Sequence, residues 1–271
     1  MQSFVAAVIQ TNSGPDKSAN LSLASRMIGE AAASGAKLVA LPEVFAWRGP
    51  RSEEAAQAEA VPGPITEAMG ALARRLGIYI VAGSILEKTE GEARPFNTTA
   101  LIGPDGRLLG AYRKIHLFDI DIPGRVTIRE SSMRAPGDRP LCVSTDLGRI
   151  GLAICYDLRF PELFRALCDD GAEVVVMPSA FTRPTGQAHW ETLIRARAIE
   201  NQCFFLAPNQ FGATAHGFDN YGNSLLVDPW GKVLARGADD GAEVLTAYLD
   251  GQELARVRRE LPCLEHRRLK A

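Results

Sequence analysis

The two halves of this chain repeat one pattern, and the repetition narrows the fold before any single residue does. Gly35-Ala36-Lys37-Leu38-Val39-Ala40-Leu41-Pro42-Glu43-Val44-Phe45 lines up with Gly171-Ala172-Glu173-Val174-Val175-Val176-Met177-Pro178-Ser179-Ala180-Phe181. Each copy is a glycine, an apolar run of strand length, and a proline that cannot donate to a β-ladder. Downstream, Ile78–Ala82 parallels Cys203–Ala207, and the turns at Pro104-Asp105-Gly106 and Pro229-Trp230-Gly231 also stand 125 residues apart. A chance match between two α/β segments is the plainer reading. The sharper one is a pseudo-duplicated α/β fold, two similar sheets face to face with helices outside. Each Pro/Gly turn reads as a hairpin, over Thr98–Leu109 and Leu225–Leu234. Hairpins insert antiparallel strands, which disfavours an all-parallel eightfold barrel.

The remaining elements follow from periodicity. Strands are predicted at Phe4–Gln10, Lys37–Leu41, Ile78–Ser84, Ile150–Cys155, Glu173–Met177 and Cys203–Ala207. Helices are predicted at Lys17–Ser34, Ile65–Leu76, Pro161–Cys168 and Ala188–Asn201, with Gly35 and Gly77 as stop signals. No Gly/Ser-rich linker or charge run separates the halves, so residues 1–271 read as one domain.

Composition excludes several function classes. Hydrophobic residues at 46% and charged residues at 23% describe a globular chain rather than a disordered one. Thirty Lys+Arg against 32 Asp+Glu leave a formal charge of −2, without the basic footprint of a nucleic-acid binder. No stretch approaches the roughly 20 apolar residues of a membrane helix. The start, Met1-Gln2-Ser3-Phe4, lacks the basic region of a signal peptide. Five cysteines, never spaced Cys-x-x-Cys, argue against a disulfide framework or zinc site and for a reduced, cytoplasmic compartment. Nothing in the pattern calls for a metal or another cofactor.

Three segments place a reactive side chain at the end of an apolar strand: Glu43 after Pro42, Lys114 at the close of a hairpin strand, and Cys155 after Ile150–Ile154. Ligands gather at strand ends and helix N-termini in α/β folds. A thiol there is expected to gain thiolate character from the helix starting near Pro161 and from a lysine. A buried glutamate takes the proton, and an ammonium stabilises oxyanion charge. Taken singly, Cys155 reads as an inert core thiol, Glu43 as a turn cap and Lys114 as a solvated charge. Cys142, Cys168, Cys203 and Cys263 lack comparable context and read as structural.

These motifs make the sequence recognisable. Leu41-Pro42-Glu43, Tyr112-Arg113-Lys114-Ile115-His116 and Gly151-Leu152-Ala153-Ile154-Cys155-Tyr156-Asp157-Leu158-Arg159-Phe160-Pro161-Glu162, in this order, resemble the nitrilase superfamily of carbon–nitrogen hydrolases over essentially the whole chain. The resemblance implies a four-layer α-β-β-α sandwich and a Glu–Lys–Cys triad on Glu43, Lys114 and Cys155. It also implies a second glutamate, Glu130, orienting the lysine, and a homodimer or higher homo-oligomer with C-terminal segments reaching between subunits. Within the superfamily the likeness is to the Nit branch of omega-amidases and deaminated glutathione amidases. His116–Gly124 leans toward the former and Arg195–Cys203 toward the latter.

The expected activity is therefore hydrolysis of a small carboxylate-bearing amide, a 2-oxo-acid omega-amide or deaminated glutathione, to acid and ammonia through a Cys155 thioester. Glu43 serves as base, acid and water activator, while Lys114 and a backbone N–H near Tyr156 hold the oxyanion. Arg159 is the candidate for the substrate carboxylate, since a guanidinium suits bidentate binding; pairing with Glu162 is its alternative. Phe181 and Thr185 follow the strand end mirroring that of Glu43 and are aimed at the same cleft, with core packing and helix capping as their alternatives. Rival readings are a nitrilase or other amide hydrolase of the superfamily, a Cys–His hydrolase with His189 as base, and a catalytically silent binding or scaffold member.

Overall fold

A computed structural model describes residues 1–123, 126–215 and 217–269, with Val126 described by its backbone alone. Gly124, the last residue of the His116–Gly124 motif, lies outside the described residues. The first half runs β1 (Phe4–Gln10), α1 (Lys17–Ala33), β2 (Ala36–Ala40), the short α2 (Glu54–Gln57), α3 (Pro64–Leu76), β3 (Tyr79–Val81), β4 (Ile85–Glu87), β5 (Phe96–Ile102) and β6 (Leu108–Arg113). A ribbon of β7 (Asp119–Ile122) and β8 (Val126–Arg129) leads into β9 (Leu141–Thr145), β10 (Gly148–Leu152), α4 (Pro161–Asp169), β11 (Val174–Val176), α5 (Arg183–Asn201) and β12 (Phe204–Ala207). A second ribbon, β13 (Phe211–Ala213) and β14 (Asp219–Tyr221), precedes β15 (Leu225–Val227), β16 (Val233–Arg236), β17 (Glu243–Leu249) and α6 (Gly251–Glu260).

The repeat seen in sequence is a repeat of topology. One sheet runs β17-β1-β2-β3-β5, with β5 also pairing β4 and β6; the other runs β9-β10-β11-β12-β15-β16. Strand senses correspond position by position. β1, β2 and β3 are mutually parallel, as are β10, β11 and β12. β5 and β6 return antiparallel, as do β15 and β16. The outer strands β17 and β9 lie antiparallel to β1 and β10.

Side-chain alternation makes the layers. Phe4, Ala6 and Val8 of β1 pack in one core with Ile150 and Leu152 of β10 and Val174 and Val176 of β11, between the sheets. Ala7 and Ile9 point the other way, onto Met27 and Ile28 of α1 and Met69 and Leu72 of α3. On the far side, Phe164 of α4 with Trp190 and Ile194 of α5 cover the second sheet. The result is the α-β-β-α sandwich, with central strands apolar on both faces because both are covered.

Three boundaries depart from the sequence reading. The strand predicted over Ile78–Ser84 stops at Val81, because Gly83 turns at φ 44° against the Pro42 carbonyl, where a Cβ has no room. α5 begins at Arg183 rather than Ala188, since Thr182 stands at its N-cap and Pro184 falls in the first turn, where its missing N–H costs nothing. The strand predicted to end at Cys155 ends at Leu152, and Cys155 opens a tight turn over Cys155–Arg159. Among the described residues, no helix is long and apolar enough to cross a membrane.

Candidate active site

Glu43 and Cys155 come from opposite halves and meet at the ends of β2 and β10. The loop after β11 holds both backbones: Cys155 N–H donates to Pro178 O (3.0 Å) and Glu43 N–H to Ser179 O (3.3 Å). Pro178-Ser179 is the counterpart of Pro42-Glu43, so the duplication builds the junction. Cys155 has φ 46° and Val44, next to Glu43, has φ 47°. This left-handed geometry is disfavoured for residues with a Cβ, and such positions cluster at functional sites.

Lys114 follows β6 directly and lies between two carboxylates. Its Nζ is 2.9 Å from Glu43 Oε1 and 2.9 Å from Glu130 Oε2, with all three side chains buried. Glu130, at the end of the β7–β8 ribbon, also accepts from Phe118 N–H (2.7 Å) and Arg134 Nη1 (3.0 Å). Asn97 Nδ2 donates to Glu43 Oε1 at 2.8 Å, fixing the rotamer of the carboxylate. Burial alone would lower the Lys114 pKa, but the fields of Glu130 and Glu43 outweigh it and hold the ammonium far above its ordinary value. Burial alone would raise Glu130, yet Lys114, Arg134 and the Phe118 amide bring it down to about 2.

Cys155 corrects one expectation. Lys114 favours the thiolate, as anticipated, but burial first and the Glu43 charge second prevail, and the thiol pKa is raised well above its ordinary value. The thiol therefore rests protonated beside its base. The helix at Pro161 starts six residues on; what lies at hand is the Cys155–Arg159 turn. Its first amides have no partner within the turn. Those of Cys155 and Asp157 go to Pro178 O and Ile154 O, which leaves the Tyr156 N–H without a backbone acceptor among the described residues. Asp157, fully buried, ties this turn to the lysine strand: it accepts from Tyr112 Oη (2.8 Å), Ile154 N–H (2.8 Å) and His116 N–H (3.1 Å).

Two cavities meet at Cys155. The larger holds about 630 Å³ of empty space, open solvent at its mouth included, and Glu43, Lys114, Glu130, Trp47, Arg48 and Arg134 line it. The smaller, about 180 Å³, is walled by Tyr156, Phe181 and Thr185. Phe181 also packs on Trp190, ring centroids 5.0 Å apart, so the core and cleft readings of that residue coexist. Thr185 does not cap α5. Thr182 holds the cap position, and the two hydroxyls are 2.7 Å apart. Arg159 lines neither cavity; its guanidinium stands over the rings of Tyr156 and Phe181, 5.7 Å and 5.4 Å from their centroids. Its hydrogen-bond contact is His189 Nδ1, at 3.3 Å, rather than Glu162. His189 itself is exposed on α5 and lines neither cavity, which removes the geometry of the Cys–His rival.

Sequence reasoning missed Asn97, Arg48, Glu54, Arg134 and Asp157. The signal for Asn97 was present: Asn97-Thr98-Thr99 are polar side chains inside a strand otherwise wholly apolar. Arg48 lies five residues past Glu43 on the same loop.

Comparison with known proteins gives the family. Residues 5–259 match the carbon-nitrogen hydrolase family model. The chain is 39% identical over 270 residues to a deaminated glutathione amidase of Synechocystis sp., covering 98% of this chain and 99% of that one. It is 40% identical over 268 residues to the human omega-amidase NIT2, covering 99% and 96%. The crystal structure of Saccharomyces cerevisiae Nit3, a member of branch 10 of the nitrilase superfamily, superposes with a TM-score of 0.90 at 32% identity, covering 99% of this chain and 97% of that one.

Proposed function

The chain belongs to the carbon–nitrogen hydrolase family and is an enzyme acting on amides; from that premise we propose that it works through a Cys155 thioester on a small carboxylate-bearing amide. The observation that carries this reading is the buried series Glu43–Lys114–Glu130 beside Cys155 at the base of the cleft. As the thiol attacks the amide carbon, its proton passes to Glu43, so a free thiolate is never required. Lys114 and the Tyr156 N–H face the developing oxyanion. Glu43 then protonates the departing nitrogen, giving ammonia from a primary amide, and deprotonates the water that opens the thioester. Glu130 keeps Lys114 charged and aimed.

Acyl selection is assigned to Tyr156, Phe181 and Thr185, which wall the smaller cavity; Arg159, which lines neither cavity, can serve as the carboxylate anchor only for an acyl arm that reaches past the Tyr156 and Phe181 rings. A 2-oxo-acid omega-amide fits this reading, as does deaminated glutathione; the names of the amidase relatives support both. Residues 1–271 act as one domain, assembled as a homodimer or larger homo-oligomer, in the cytoplasm.

The test is hydrolysis of a panel of omega-amides of 2-oxo acids, deaminated glutathione and the matching nitriles. Amides should turn over faster than nitriles, and a Cys155 acyl adduct should appear by mass spectrometry. A folded Cys155→Ala variant that keeps appreciable hydrolysis sinks the mechanism, whereas Ala at Cys142, Cys168, Cys203 or Cys263 should alter stability only.

A further inference from the structure

Arg197 is a buried cation that lines neither cavity and that the mechanism above does not use. It projects from α5, and its guanidinium stands 5.5 Å from the ring centroid of Phe164. One arm pairs with Glu200, a partly exposed carboxylate one turn on, at 2.8 Å. Its other two donors converge on one atom: Nε at 3.1 Å and Nη2 at 3.0 Å both donate to the carbonyl oxygen of Leu158. Leu158 belongs to the Cys155–Arg159 turn, whose bonds run three residues back, from Asp157 N–H to Ile154 O and from Phe160 N–H to Asp157 O. By that spacing the Leu158 carbonyl would accept from Pro161, which has no N–H. A buried carbonyl left without a donor is costly, and Arg197 supplies from another helix what the turn cannot.

That carbonyl matters because of what stands three residues before it. Cys155 holds φ 46°, which a residue with a Cβ keeps only where its surroundings over-determine it. The Tyr156 N–H, the donor assigned to the oxyanion, lies in the planar peptide that follows Cys155, so the Cys155 conformation sets its direction. The turn is fixed at its start by the Cys155 N–H on Pro178 O at 3.0 Å, and in its middle by the Asp157 carboxylate on Ile154 N–H at 2.8 Å. At its far end the Arg197 fork holds it to α5. We propose that Arg197 is a positioning residue for the hydrolysis: by completing the Leu158 carbonyl it keeps the nucleophile turn closed, Cys155 left-handed and the Tyr156 N–H aimed at the oxyanion. This rests on the amidase reading above and adds the element that holds its oxyanion donor. A guanidinium suits the task, because two rigidly spaced donors fix the direction as well as the distance of one acceptor, which a flexible ammonium does not.

The test uses the primary omega-amide of a 2-oxo diacid as substrate, the aldehyde with hydrogen in place of the amide nitrogen as inhibitor, and iodoacetamide as label, on wild type, Arg197→Gln and Arg197→Lys. The aldehyde forms a C–S bond with Cys155 while the thiol proton passes through Glu43 to the former carbonyl oxygen, so nothing leaves and that oxygen occupies the oxyanion position. Alkylation by iodoacetamide expels iodide and builds no oxyanion. Arg197→Gln should lower kcat by about 10–100-fold, a part of the roughly 10²–10³ lost with a whole oxyanion donor. KM should be nearly unchanged and aldehyde affinity should fall in step with kcat, as expected for an interaction made in the transition state. Cys155 labelling should stay at the wild-type rate. Arg197→Lys, with a point charge in place of the fork, should show the same pattern to a smaller degree, and it carries the test if the Gln variant does not fold. A folded variant with wild-type kcat and aldehyde affinity overturns this inference alone, as does one whose labelling falls along with its turnover, the mark of a generally loosened site. Wild-type enzyme that leaves the amide intact overturns the proposed function, on which this assignment rests.

Discussion

Cys155 and Glu43 hang from consecutive carbonyls, with the Cys155 amide on Pro178 O at 3.0 Å and the Glu43 amide on Ser179 O at 3.3 Å. Nucleophile and base thus come from different halves of a duplicated fold and are registered to each other by one loop. That proximity has an electrostatic consequence. The carboxylate that takes the proton also raises the thiol pKa, so the resting site is a thiol beside a base rather than an ion pair.

Alkylation distinguishes the two states. Iodoacetamide labelling of Cys155 should keep rising with pH through about 9, without the plateau below neutrality that a preformed thiolate shows. Glu43→Gln removes a charge that raises the thiol pKa while leaving Lys114 to lower it. Labelling of that variant at pH 7 should therefore be faster than wild type, while amide hydrolysis is lost. Slower labelling would mean that Glu43 favours the thiolate.

The fold was legible where the physics is local or repeated. Alternating apolar runs, Gly77 as a left-handed cap, and the Pro/Gly turns each encode their structure within a few residues. Glu43, Lys114 and Cys155 were legible as strand-end residues in recognisable motifs. Arg48 and Arg134 were not, because nothing local distinguishes a buried arginine in a loop from a solvated one; their burial follows from how the ribbon and the loop after β2 close over the cleft. The resting state of Cys155 was misjudged for a related reason. Motifs name the lysine that favours thiolate, but desolvation depends on packing that sequence spacing does not report.

Glu130 makes the protein acid-sensitive in a defined window. Its pKa is lowered from an ordinary 4.5 to about 2 by Lys114, Arg134 and the Phe118 amide, against the effect of burial. A depressed carboxylate binds fewer protons folded than unfolded, so its stabilising contribution is present above about 4.5 and disappears as pH falls through about 2. Glu130→Gln should therefore melt below wild type at pH 6, with the gap closing between about pH 4.5 and 2. A Tm gap constant across that range would contradict the assignment.

Tyr112 supports the site from beneath. Its hydroxyl donates to Asp157 Oδ2 at 2.8 Å in a fully buried pair, joining the lysine strand to the nucleophile turn. Tyr112→Phe leaves that carboxylate one donor short, and a lost hydrogen bond to a charged group costs about 1.5–3 kcal/mol. Chemical denaturation should show a loss of this size, with unchanged secondary structure by circular dichroism. An undiminished midpoint would show that Asp157 is satisfied without Tyr112.

Lys114 has two roles that one substitution confounds and a second separates. It is the counter-charge of both Glu43 and Glu130, at 2.9 Å from each, and it is proposed to face the oxyanion. Lys114→Met strips two buried carboxylates of their shared cation, and breaking a buried pair in this way costs about 3–5 kcal/mol. It also removes an oxyanion donor, for which about 10²–10³ in turnover is the usual loss. Glu130 keeps Arg134 at 3.0 Å in that variant, whereas Glu43 loses its cation. Adding Glu130→Gln lowers the negative charge beside Glu43, so the double variant should recover part of the lost stability as read by Tm. Turnover should stay at the level of Lys114→Met, because no uncharged neighbour replaces the ammonium at the reacting carbonyl. If activity returns with stability, Lys114 serves only to hold the fold together and the chemistry belongs to other groups.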